Sequence, residues 1–156
     1  MSARVGIGYD SHRLAEGESL ILGGVEIDHP LGLAGHSDAD VLTHAVIDAL
    51  LGACGLGDLG EHFPPDDEAY RDADSLGLLQ VVAGMIPGRA SNIDATLVCE
   101  EPKLAPHRDE MEAKLGDVLS APVSVKATTN EGMGWIGRGE GIACIAVAMV
   151  DTGERA

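Results

Sequence analysis

Residues 142–150 read IACIAVAMV, a run that is apolar at nearly every position. A strand with one face in water alternates apolar and polar residues, whereas one covered on both sides does not. The run therefore predicts a strand buried on both faces. In a chain of 156 residues, helices suffice for only one face of a sheet, so the other face points to a subunit interface.

Working outward from this strand, residues 121–131 (APVSVKATTNE) read as its neighbour in sequence, and 90–103 (ASNIDATLVCEEPK) as another strand. Between them, 105–119 (APHRDEMEAKLGDVL) predicts a helix with Pro106 in its first turn. At the N-terminus, Val5, Ile7 and Tyr9 alternate through ARVGIGYD, a strand pattern, and 19–28 (SLILGGVEID) reads as a hairpin about Gly23 and Gly24. Leu42, Ala45, Val46, Ala49 and Ala53 recur at helical spacing, with Ser37 as candidate N-cap and Gly55 as terminator. Residues 59–74 read as a loop, and 75–86 as a second helix ending before Pro87. No repeat or linker divides the chain. The expectation is one α+β domain over 1–156, a mixed sheet with helices on one face.

Composition narrows the function. Three Lys and seven Arg against 26 acidic residues give a net charge of −16, which disfavours nucleic acid and anionic membrane as partners. An acidic chain that handles phosphate is expected to use metal ions to do so. No apolar run approaches the length of a membrane span, and MSARVGIGYD lacks a signal-type apolar segment, so a cytoplasmic location is expected. Cys54, Cys99 and Cys144, widely spaced in apolar contexts, read as reduced core residues.

Asp10 and His12 in GYDSHR (8–13) project to the same side of an extended chain, since strand periodicity is two. With His44 on the helix they form a plausible three-ligand zinc set with an open fourth position. In KATTNEGMGWIGRGEG (126–141), Thr128 and Thr129 with nearby amides could hold phosphate oxygens. Glu131 could hold a hard cation such as Mg2+ or Mn2+. Read blandly, the same stretch is a Gly-rich turn capping a hairpin. Metal-dependent phosphohydrolysis and non-catalytic metal or diphosphate binding are the rival readings of these residues.

GIGYDSHR (6–13), LGG (22–24), GHSDADVLTHAVIDALLGACGLGDLGEHFP (35–64), ADS (73–75), EEPKLAPH (100–107) and VKATTNEGMGWIGRGEGIA (125–143) together resemble the 2-C-methyl-D-erythritol 2,4-cyclodiphosphate synthases of the non-mevalonate isoprenoid pathway. The resemblance runs from residue 4 to about 150. It implies a homotrimer with sheets packed around a threefold axis. It also implies a metal-dependent cyclisation of 4-diphosphocytidyl-2-C-methyl-D-erythritol 2-phosphate with release of CMP. By position it makes Asp10, His12 and His44 zinc ligands, and Glu131 the carboxylate for a second divalent ion, Mg2+ or Mn2+. His36 and Ser37 become a phosphate clamp, and Thr129, with Thr128 beside it, a residue that stabilises the transition state. Asp58 and Gly60 match ribose and erythritol contacts, and Phe63 a substrate contact. The segment Cys99, Pro102, Lys103, Leu104 and Ala105 matches a cytidine pocket that belongs to the neighbouring subunit. Trp135 and Arg138 match contacts near the nucleotide phosphates.

On this resemblance Asp10, His12, His44 and Glu131 are expected from one chain and the Lys103 pocket from the next. An isoprenoid diphosphate in an axial cavity is a further implied partner, with Arg138 and Glu140 at its mouth and Ala143, Ala146 and Ala148 leaving room. The chain departs from the family pattern at Pro65, where Asp is common, at Asn130, where Thr is frequent, and at Trp135, where Phe is frequent. Asp48, one turn beyond His44, reads as either a partner for that ring or an ordinary helix acid.

Overall fold

The computed structural model describes residues 2–153. Seven strands run β1 (Ala3–Glu16), β2 (Leu20–Leu22), β3 (Val25–Ile27), β4 (Leu31–Ala34), β5 (Arg89–Val98), β6 (Val123–Thr128) and β7 (Gly141–Asp151). Five of them form one mixed sheet in the order β4-β1-β7-β5-β6, with β5 and β6 parallel and the other pairs antiparallel. β2 and β3 make a separate hairpin that turns at Gly23 and Gly24, both with positive φ. Helix α1 (Val41–Cys54) packs across β1 and β7, and α3 (Ser75–Met85) and α4 (Arg108–Leu119) complete the layer.

The inward side of β1 reads Gly6, Gly8, Asp10, His12. The two glycines set how closely α1 can approach: a β-carbon at Gly6 would lie 2.0 Å from the Ala49 carbonyl oxygen. Opposite them on β7 stand Ala148 and Ala146, also small and fully buried, with Cys144 next along opposite Asp10. Small residues on both strands seat the helix directly on the sheet backbone. One strand repeat further on, the same side of β1 carries the acid and the imidazole instead, under the first turn of α1. Strand periodicity thus turns a packing surface into a chemical one.

The outward side is different. Val5, Ile7, Tyr9, Ile145, Val147 and Met149 form a contiguous apolar ladder, with Ile7 69% and Ile145 44% exposed in the single chain. The helices leave this face bare, as the unbroken apolar run of β7 anticipated. Two of the three alanines expected to leave room there do not face it. Ala146 and Ala148 point at α1 and are fully buried, and only Ala143 shares the register of Ile145 and Val147.

Several boundaries move. The N-cap of α1 is Asp40, not Ser37. Its carboxylate accepts from Thr43 N, Thr43 Oγ1, Gly23 N and Gly24 N, tying the hairpin turn to the helix start. Tertiary donors decided which of several capping residues was used. Gly55 ends α1 in the left-handed conformation, as expected. The expected loop 59–74 contains α2 (Leu59–His62) and a 3-10 turn (Glu68–Tyr70), capped by Asp58 and Asp67. Pro106 lies in a 3-10 turn before α4 rather than in its first turn. The Gly-rich segment folds a short helix α5 (Gly134–Gly137), and the four-residue β4 was not foreseen. Cys99 and Cys144 are buried free thiols, whereas Cys54 is only half-buried at the end of α1.

Candidate active site

Asp10 and His12, in the second half of β1, meet His44 from the first turn of α1. The Asp10 Oδ2 lies 2.9 Å from His12 Nε2 and 3.1 Å from His44 Nδ1, and the two ring nitrogens are 3.3 Å apart. Three donors about 2 Å from a common ion in a tetrahedron are about 3.3 Å from one another, so these separations suit a divalent metal ion held by all three. Among the described residues these three form the group of His, Cys and acid side chains that could hold an ion. Burial pushes the Asp10 carboxyl up, but hydrogen bonds and charge from His12 and His44 outweigh it and hold it down at about 2. The acid is thus ionised and ready as a ligand at any physiological pH. His12 and Asp10 are 20% and 25% exposed, which leaves the set open on one side.

That open side faces a cleft lined by His36, Ser37, Phe63, Pro65 and Tyr70. The Phe63 ring meets the Tyr70 ring edge-on at 5.3 Å. The segment before α3 is laced to the segment before α1: Asp72 N donates to His36 O at 2.8 Å, Asp38 N to Ala73 O at 3.2 Å, and His36 Nε2 to Asp67 O at 3.1 Å. The hydrogen bond found for Asp48 goes to α2 and not to His44. Its carboxylate accepts from Leu59 N at 2.7 Å and fastens α2 to α1, a role neither sequence reading foresaw.

A second cleft is lined by Cys99, Pro102, Lys103, Leu104, Ala105, Thr128 and Thr129, at the ends of β5 and β6. Two to three strand spacings, about 10–14 Å, separate those strands from β1. Glu131 goes with this second cleft. Its neighbours Asn130 N and Gly132 N donate to Glu100 Oε1, and its own N–H donates to Thr129 Oγ1 at 3.3 Å. The backbone around Glu131 is thus fastened to the strand ends that carry Lys103, while Asp10, His12 and His44 gather at β1 and α1. Trp135 lies against Gly141 beside Ser11, His12, Arg13 and Glu140, and Arg138 pairs with Glu140 at 2.6 Å in an exposed ion pair. Asp58 caps α2 and Gly60 is exposed within it, and neither lines the two clefts.

Sequence reasoning missed Ser75 and Asp38. Ser75, fully buried at the start of α3, lies 2.8 Å from His44 Nε2 and donates its hydroxyl to Asp38. The fragment ADS (73–75), one of those that carry the resemblance, contains this serine and is the signal in the sequence.

The chain is 55% identical over 154 residues to a 2-C-methyl-D-erythritol 2,4-cyclodiphosphate synthase of Syntrophomonas wolfei, covering 95% of this chain and 98% of that one. It is 56% identical to the synthase of Salinibacter ruber, covering 96% and 99%. Among solved structures, a 2C-methyl-D-erythritol-2,4-cyclodiphosphate synthase in a CDP-bound form superposes with a TM-score of 0.86 at 34% identity, covering 95% of this chain and all of that one. The bifunctional IspDF of Campylobacter jejuni gives 0.91 at 38% identity, with 95% of this chain matching 42% of the longer one. The YgbB family profile matches residues 3–151. With sequence, fold and profile in agreement over almost every residue, the chain belongs to the YgbB family.

Proposed function

We propose that the chain, acting as a single domain over 1–156, cyclises 4-diphosphocytidyl-2-C-methyl-D-erythritol 2-phosphate to 2-C-methyl-D-erythritol 2,4-cyclodiphosphate and releases CMP. The observation that carries this reading is the Asp10–His12–His44 set, open to a cleft, in a fold whose close relatives bear the synthase name. Asp10, His12 and His44 would hold zinc. Glu131 would hold a second divalent cation, Mg2+ or Mn2+, with the substrate phosphates. Bound there, the ions supply positive charge against the clustered phosphates and stabilise the departing one.

The remaining work falls to the chain's own groups. A 2-phosphate oxygen attacks the β-phosphorus, the bond to the α-phosphate oxygen breaks, and CMP leaves with that electron pair. The nucleophile is already an anion, so the site needs no general base. His36, anchored through Nε2 to Asp67, and Ser37 would receive a phosphate at the first cleft. Thr128 and Thr129 would hold phosphate oxygens, and Cys99 to Ala105 with Lys103 the cytidine, at the second. Asp58 and Gly60 would meet the sugar parts and Phe63 would help keep water from the β-phosphorus, while Trp135 and Arg138 would lie near the nucleotide phosphates.

Asp10 and His12 lie on a strand about 10–14 Å across the sheet from the strands whose ends line the second cleft, which supports a site completed between subunits. The bare ladder Val5–Ile7–Tyr9 with Ile145–Val147–Met149 supports a homotrimer packed through this face. In that trimer, Glu131 would come from the chain that supplies the Lys103 pocket. Incubation with the diphosphocytidyl substrate tests the reading. Cyclic diphosphate plus CMP, abolished by chelator and restored by Zn2+ with Mg2+, is the expected result. Release of linear phosphate would instead identify a phosphohydrolase, and binding without turnover a non-catalytic module.

A further inference from the structure

We infer that Ser75, oriented by Asp38, is a positioning residue for His44: it holds the imidazole as the Nε2–H tautomer and leaves the Nδ1 lone pair aimed at the point shared with Asp10 and His12. The inference rests on the metal reading above and adds residues to it.

The argument is a count of protons. Ser75 Oγ has one hydrogen. Asp38 Oδ1 accepts it in a short contact, while Asp38 Oδ2 accepts the Ser75 backbone N–H at 2.9 Å. The carboxylate therefore grips the residue at two points and fixes the direction of the hydroxyl. With its proton committed to an anion, Ser75 Oγ faces His44 Nε2 at 2.8 Å with lone pairs only, so Nε2 must be the donor. In the neutral ring that leaves Nδ1 unprotonated, and Nδ1 is the atom 3.1 Å from Asp10 Oδ2 and 3.3 Å from His12 Nε2.

Ser37 Oγ also lies near His44 Nε2, at 3.1 Å, but it accepts from Ala39 N and borders the open cleft. Ser75 is fully buried and cannot be drawn away by substrate. Metal-bound imidazoles are held by hydrogen bonds at the nitrogen remote from the ion, and loss of that partner weakens metal binding about 10–100-fold. Here the partner sits at the start of α3, so docking of that helix against α1 also sets the third ligand.

The test compares zinc affinity, by competition with a chromophoric chelator, and the visible spectrum of the cobalt-substituted protein, in wild type, Ser75→Ala, Asp38→Asn and His44→Ala. Ser75→Ala is expected to fold, to bind zinc about 10–100-fold more weakly and to change the cobalt bands. Asp38→Asn, which keeps the hydroxyl but not its anionic acceptor, should change both in the same direction by less, and it stands in if Ser75→Ala does not fold. An unchanged zinc Kd and cobalt spectrum in the folded variant would overturn the inference. So would a lower unfolding midpoint of the metal-free protein with both metal readouts unaltered, since that describes a merely structural contact. If wild type and His44→Ala took up zinc equally, the ligand assignment itself would fall and the inference with it. Zinc lost in His44→Ala but fully kept in Ser75→Ala would overturn the positioning role alone.

Discussion

A β-carbon added to Gly8 would sit 1.9 Å from the carbonyl oxygen of Ala45. The obstacle is helix backbone, which cannot rotate away as a side chain can. Gly8→Ala must therefore lift α1 from β1, and His44, the next residue along that helix, moves with it. The expected outcome is a loss of about 3 kcal/mol or more in urea unfolding, together with loss of bound zinc. Gly84→Ala is the control. It lies near the end of α3 with nothing within 4 Å of the added carbon, and should be neutral or stabilising by up to about 1 kcal/mol.

Asp40→Ala should cost about 3 kcal/mol, because it strips four donors of a fully buried acceptor and undoes a helix cap as well. Ser37→Ala should leave the unfolding midpoint nearly unchanged and lower turnover instead. Urea titrations of both variants, alongside kinetics, check the pair. A large stability loss at Ser37 would return the capping role to it.

The same contrast shows what could be read beforehand. In HSDADV three residues can cap a helix, and the choice fell to Asp40 because Gly23 and Gly24, far off in sequence, present two amides to it. Local pattern cannot rank capping residues by partners it does not contain. The pairing of Asp10 with His12 was legible because a period of two is a property of the strand itself, and α1 was legible from its apolar spacing and Gly55. Ser75 was opaque because its importance lies in a neighbour 31 residues away. β4 was opaque because four residues, LGLA, hold too little alternation to read. The placement of Glu131 depended on Glu100 gripping two amides of its loop, again a contact across the fold.

Thiol chemistry offers a probe of the second cleft. Burial, and then the charge of Glu100, push the Cys99 thiol up to about 11. The thiol is therefore the dominant form at pH 8, and alkylation by iodoacetamide should be slow, rising about tenfold per pH unit until the pH nears that value. CDP should slow it further, since Cys99 lines the proposed cytidine pocket. Peptide mass spectrometry after timed alkylation reads this out. Equal rates with and without saturating CDP would remove Cys99 from the pocket.

The bare face of the sheet makes a prediction about assembly. Ile7 points away from α1 and is 69% exposed in the single chain, so Ile7→Asp should not disturb the core. In a trimer packed through this face it would bury unpaired charges, which are strongly unfavourable there. Sedimentation should show a trimer for wild type and monomer for Ile7→Asp, with helix content retained by circular dichroism. A variant that stays trimeric would move the interface elsewhere.

Sharing of the site between subunits can be tested by mixing inactive variants, and the placement of Glu131 sharpens the test. His44→Ala disables the metal half of a chain, while Ala105→Trp and Glu131→Gln each disable the half at the ends of β5 and β6. If every site pairs one chain's metal half with its neighbour's other half, a mixed trimer of His44→Ala and Ala105→Trp chains holds about one intact site in three. The same holds for His44→Ala mixed with Glu131→Gln, because Glu131 travels with the Lys103 cleft. Ala105→Trp mixed with Glu131→Gln should recover nothing, since every chain then has a damaged second half. Native mass spectrometry confirms that the trimers are mixed, and turnover of the diphosphocytidyl substrate gives the readout. Recovery in the third mixture but not the second would put Glu131 with the metal half after all. No recovery in any mixture would mean that each site is built from a single chain.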